Sequence, residues 1–151
     1  MRKQKIKLLF KDSYLAMIKN SVGSNMFFNR YSLINGKKID IIKSGKYRIA
    51  CAFFVSTILL FSKLIQEPHL TVDGVEWDLK KSGWFKIKKP KIGCIVIWEK
   101  TKVGDKETRH AGFFIGSNKA ISTHHQTGKP YIHNLKYRKI ESIWWHKNLD
   151  S

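Results

Sequence analysis

Acidic side chains are scarce in this chain: eleven Asp and Glu stand against 29 Lys and Arg, a formal net charge of +18. That imbalance favours a polyanionic partner, whether nucleic acid, an anionic wall polymer or an acidic membrane surface. Arginine is scarce too, five residues against 24 lysines. Bidentate base reading uses arginine, so delocalised attraction fits this composition better than sequence recognition. The two cysteines, Cys51 and Cys94, form no disulfide framework, and no C-x-x-C or zinc spacing occurs. Long apolar runs are missing: residues 49–61 include Ser56 and Thr57 and fall short of a membrane span. The short apolar stretch near the start is broken by Lys7, too short for a signal-peptide core. The expectation is a chain without a membrane span, cytoplasmic unless released by lysis or specialised export.

What is present points to a packed core. Apolar residues make up 42% of the 151, with five tryptophans, too many for a disordered chain. One domain is expected over residues 1–151: a basic extension, 1–48, and a core, 49–151. Residues 12–20 carry an imperfect apolar helical face. Residues 21–38 read as irregular, with Asn35-Gly36 as a turn; "KIDII" and "SGKYRIA" suggest a hairpin turning near Ser44-Gly45. Residues 51–65 are apolar around most of a helical circumference, the mark of a buried helix, and Pro68 is the expected stop. Thr71 suits the N-cap of a second helix, with Asp73 and Glu76 early, Lys80 and Lys81 late and Gly83 beyond.

After that the period changes from helical to alternating. Residues 93–100, 110–116, 119–124, 131–135 and 141–145 read as strands joined by short turns, with a polar loop, "TKVGDKETR", after the first. Helices followed by strands predict an α+β domain, its main helix packed on an antiparallel sheet.

Cys51 opens the apolar helix, and His110 opens the strand "HAGFFIG". Alternation puts His110, Gly112 and Phe114 on one face, and Gly112 removes bulk beside the imidazole. Taken alone, Cys51 is either a small core residue or a nucleophile, and His110 either structural or a base. A thiol at a helix start gains from the positive end of the helix dipole, and an imidazole beside it can take and return a proton. Backbone N–H groups at that helix start can receive the charge of a tetrahedral intermediate.

"CAFFVSTILLF", "PKIGCIVIWE" and "HAGFFIGSNKAIS", in that order, resemble the papain-like NlpC/P60 and CHAP group of cysteine peptidases and amidases. The similarity spans roughly residues 49–124. It implies a papain-like fold with Cys51 as nucleophile, His110 as general base and no cofactor or metal; Gly116 and Asn118 match the turn after the histidine strand. The third polar residue of the pattern falls twelve positions after the histidine, at Ser122. His124, two residues on and on the same strand face, is the alternative, and register favours Ser122. Histidines 124, 125 and 133 do not make a metal site by spacing, since adjacent residues on a strand face opposite ways.

Three positions depart from the family's pattern. Ala50 replaces the usual Asp or Asn, Cys94 stands where aspartate is common, and no glutamine precedes Cys51 to serve as an oxyanion donor. The Cys51 backbone N–H is then the safer donor, with the Tyr47 hydroxyl as a further candidate; Cys94 reads as a buried strand residue. The expected activity is hydrolysis of an amide or peptide bond in a peptide-like substrate. The resemblance implies wall peptides as the commonest substrate, and the positive surface suits an anionic wall polymer. The alternatives are acyl or peptidyl transfer on the same fold, and non-catalytic binding of nucleic acid or another polyanion.

Overall fold

A computed structural model describes residues 3–43, 50–103 and 105–150. The elements are α1 (Phe10–Asn20), β1 (Tyr31–Ile34), β2 (Lys37–Asp40), α2 (Ala50–Phe61), α3 (Val72–Lys81), β3 (Phe85–Lys86), β4 (Ile95–Val103), β5 (Lys106–Gly116), β6 (Lys119–Thr123), β7 (Pro130–Asn134) and β8 (Ile140–Trp145). A 3₁₀ turn, Lys147–Leu149, follows. The fold is α+β. Six antiparallel strands run in the order β3-β8-β4-β5-β6-β7, beside a separate β1-β2 hairpin. No helix among the described residues is long and apolar enough to cross a membrane.

The α2 helix packs on β5 and β6. Phe54 meets Phe113 edge to face, ring centroids 5.4 Å apart, and Phe27 closes on Phe54 at 4.9 Å. Edge-to-face pairs add specific geometry to the burial of aromatic area. From α1, the buried Tyr14 hydroxyl donates to the Gly93 carbonyl at 2.8 Å and ties that helix to the entry of β4.

The apolar run produces a shorter helix than its sequence suggests. Pro68 is not what ends it. Lys63 takes a left-handed φ of 54°, Leu64 N–H bonds Leu59 O, and Lys63 N–H bonds Leu60 O, a Schellman stop. Burial of Leu64, whose carbonyl accepts from the Trp84 indole at 2.7 Å, holds the chain in that turn. The α3 helix matches its signals: Thr71 Oγ1 accepts from Gly74 N–H at 3.0 Å.

Two further expectations are corrected. Residues 31–34, read as irregular, form β1, and the hairpin turns at Asn35-Gly36, both with positive φ. The turn expected at Ser44-Gly45 lies outside the described residues. The polar stretch 101–109 is mostly strand: Thr101 pairs Thr108 and Lys102 pairs Glu107, extending β4 and β5 beyond the sheet as a two-stranded arm. The arm's residues 101, 102, 106 and 107 are exposed, so alternation gives no signal there. At the other end of β5, Ser117 and Asn118 form a two-residue loop, both at positive φ.

Candidate functional site

A cavity of about 650 Å³ lies where the first turn of α2 meets the start of β5. Cys51 and His110 both line it, with Tyr131, Tyr137 and Arg138. Phe113 points to the α2 face of the sheet, while His110 and Gly112 turn to the other face, against Trp98 and Ser122. Cys51 and β5 come together there: α2 packs on β5, and the Ala111 backbone N–H acts on the Cys51 thiol, favouring its thiolate.

The imidazole is held from several sides. His110 pairs with Trp98 across β4 and β5, ring centroids 5.8 Å apart. Trp98 is fully buried and also backs His133 (5.5 Å) and Tyr137 (5.3 Å). Its indole N–H donates to Leu135 O at 2.9 Å, fixing the turn that carries Tyr137 and Arg138. The residue before the histidine, Arg109, joins β5 to α3 and β8 through Asp73 (2.6 Å), Glu76 and Glu141. That triple pairing neutralises Arg109 and anchors β5 beside His110, where the strand passes from the two-stranded arm into the sheet.

Hydrogen bonds fix the donor and acceptor order along a chain of three residues. The Asn134 carbonyl can only accept, so His133 Nδ1–H donates to it, at 2.9 Å. His133 Nε2 is then an acceptor, and the Ser122 hydroxyl donates to it at 2.6 Å. Ser122 Oγ in turn accepts from His110 Nε2–H at 2.9 Å. The partners thereby assign the tautomer, and His110 Nδ1 is left as the basic nitrogen. Serine orients an imidazole firmly here because its own hydroxyl is already committed to His133. Between the two expected third residues, Ser122 is the one that contacts His110. His124 lies past the end of β6, stacked on His125 at 4.8 Å, with its Nδ1 accepting from Gln126 N–H.

Protonation of the pair differs from the helix-start expectation. Burial raises the Cys51 thiol pKa, against the opposing pull of the Ala111 and Ala52 N–H groups and the Arg138 charge. Burial, with the nearby Arg138 charge, pushes His110 down to about 3. Both shifts favour the neutral forms near neutral pH, a thiol at Cys51 and an imidazole at His110. Cys94 is sealed at the start of β4, where burial pushes its thiol up to about 12. Tyr47 lies outside the described residues.

A pH signature follows from the depressed histidines. Unfolded histidine binds a proton below about 6.5, whereas folded His110 stays neutral to about pH 3. The unfolded state therefore binds more protons in that window, and stability is lost as pH falls from 6.5. His133 is shifted the same way by burial. Between pH 6.5 and 5, before the carboxylates titrate, the melting temperature of the wild type is expected to fall. His110→Gln should flatten part of that slope in thermal melts; an unchanged slope would mean that His110 titrates normally in the fold.

In the sequence His133 stands out only as a candidate metal ligand, and Tyr137 and Arg138 belong to no motif. Among the described residues no group of three or more His, Cys, Asp or Glu side chains is arranged to hold a metal ion. The chain matches no protein-family model and, at a significant level, no curated protein.

Proposed function

We propose that this chain is a cysteine-dependent hydrolase of amide or peptide bonds, a divergent relative of the papain-like NlpC/P60 group. One observation carries the proposal: Cys51 and His110, from elements far apart in sequence, line one cavity, and Ser122 takes His110 Nε2; in this reading Nδ1 is the nitrogen that accepts the thiol proton. Structural histidines bury against any available partner; a chain of bonds that leaves the cavity-side residue as a base is what general-base chemistry needs.

In the proposed reaction Cys51 Sγ attacks the carbonyl carbon as its proton passes to His110 Nδ1. The oxyanion is received by N–H groups at the start of α2. The C–N bond breaks as His110 returns the proton to the departing amine. Water then gives a proton to His110 and attacks the acyl-enzyme, releasing the acid and regenerating the thiol. Substituting an added amine for water would give transfer in place of hydrolysis. Wall peptides are the substrate the family resemblance favours, with the +18 charge steering the protein to an anionic polymer.

The thiols themselves provide the test. Iodoacetamide at neutral pH should modify Cys51 well before Cys94, because Cys51 borders a cavity while Cys94 is fully buried. His110→Ala should slow alkylation of Cys51 several-fold in a chain that stays folded. Equal labelling of the two thiols, or a rate indifferent to His110, would contradict the proposal.

A further inference from the structure

Two arginines line the cavity, and the chain treats them oppositely. Arg109 spends its guanidinium on three carboxylates. Half-buried Arg138 pairs with no carboxylate among the described residues. Its Nη1 donates to the Thr108 carbonyl at 3.0 Å, and its guanidinium lies 5.5 Å from the Tyr137 ring centroid. Those two contacts orient the group, yet Thr108 occupies one of its five N–H donors. No Arg138 nitrogen is left both buried and unpartnered, so donors without a protein acceptor are open to the cavity or to solvent.

We propose that Arg138 forms a carboxylate subsite beside Cys51, so that the acyl donor is an acidic peptide or amide with a free carboxylate next to the bond attacked. The inference rests on the reading of Cys51 as an accessible nucleophile. An oriented guanidinium with unspent donors is complementary to the planar, two-oxygen acceptor of a carboxylate, and such charge-assisted bonds are the strong ones. The positive charge is felt across the cavity: it favours the thiolate of Cys51 and opposes the imidazolium of His110. Within the lining Arg109 is already matched by carboxylates, which sets Asp105 against Lys43, Lys106 and Arg138. Lysines spread over the surface attract anions without placing them. Arg138, pinned by Thr108 and Tyr137, gives the carboxylate a fixed position relative to the sulfur.

Two alkylating agents that differ by one carboxylate test this without a known substrate. Iodoacetate and iodoacetamide each form an S–C bond to Cys51, expel iodide and release the thiol proton. The ratio of their rates, referenced to free cysteine, cancels any change in thiol reactivity. The wild type should favour iodoacetate about tenfold, with a saturating rate, and Arg138→Gln should bring the ratio back to that of free cysteine. Arg138→Lys should fall between, retaining charge but not the planar fork. A ratio unchanged by Arg138→Gln, or one abolished by salt equally in both proteins, would overturn the subsite and assign any preference to the overall charge. Failure of Cys51 to react with iodoacetamide would instead remove the nucleophile, and with it the proposed function. Two competitors identify the carboxylate's source: N-acetylalanine offers a chain-terminal group, and N-acetylglutamate α-amide offers a side-chain group. Slowing of iodoacetate by either one supports the subsite; slowing by neither counts against it.

Discussion

Gly112→Ala is expected to cost about 3 kcal/mol or more of stability, the upper range for overpacking a close-packed interior. A Cβ at position 112 would stand 2.5 Å from the Ile121 carbonyl oxygen, 2.8 Å from Ser122 Cβ and 3.1 Å from the Trp98 ring. The first of these is backbone of the paired strand, which cannot move aside without shifting β6. Space, not backbone conformation, is what glycine supplies here. Gly23→Ala is the matched control: its φ of +76° disfavours a side chain, but nothing lies within 4 Å. That substitution should cost about 1 kcal/mol from conformation alone. Urea midpoints compare the two directly. If Gly112→Ala were no worse than Gly23→Ala, the close approach of Ser122 and Trp98 beneath His110 would be wrong.

Ser122→Ala carries the largest expected kinetic effect short of losing the nucleophile or its base. It removes the acceptor for His110 Nε2–H and the donor to His133 Nε2 together. The imidazole is then free to rotate and to change tautomer, and about a hundredfold loss in acylation rate is expected. His133 acts one step further out, as a positioning residue. His133→Leu should cost about tenfold, since the Ser122 hydroxyl loses its acceptor but still accepts from His110. His133→Gln, whose side-chain carbonyl can accept the same hydroxyl, should recover much of that loss. Acylation rates measured against pH separate this role from simple packing, because an unoriented imidazole changes the pH profile while a packing defect scales it uniformly. A Ser122→Ala protein acylating at the wild-type rate would take the three-residue chain out of the reaction.

Much of this is legible in the sequence, for identifiable reasons. The α2 helix announced itself because apolar residues run around most of its circumference: Ala52, Phe54, Val55 and Leu59 are fully inaccessible, although Leu60 and Phe61 stay exposed. Its end was not legible, since the stop at Lys63 depends on Leu64 being drawn into the core beside Trp84, a contact across twenty residues. The β4–β5 arm escaped because neither face is covered, which erases the alternation that identifies a strand. The two-residue β3 strand is too short to carry a pattern of its own. Cys51, His110 and Ser122 could be chosen from motif order and register. His133 could not, because its bond to Ser122 crosses diagonally between β6 and β7, where Ser122 stands opposite Tyr131. Arg138 lies in a turn, where sequence period says nothing. Its one signal was rarity, as one of five arginines beside 24 lysines.

The central claim is that the Cys51 thiol becomes acylated with His110 as its base and that water then clears it. An activated ester bypasses the unknown substrate. With p-nitrophenyl acetate, intact mass and peptide mapping should find a transient acetyl group on Cys51, with nitrophenolate released beyond one equivalent as the intermediate turns over. His110→Ala should acylate slowly and retain whatever acetyl it gains. Acetylation scattered over lysines or lodged on Cys94, at a rate untouched by His110→Ala, would contradict the claim outright.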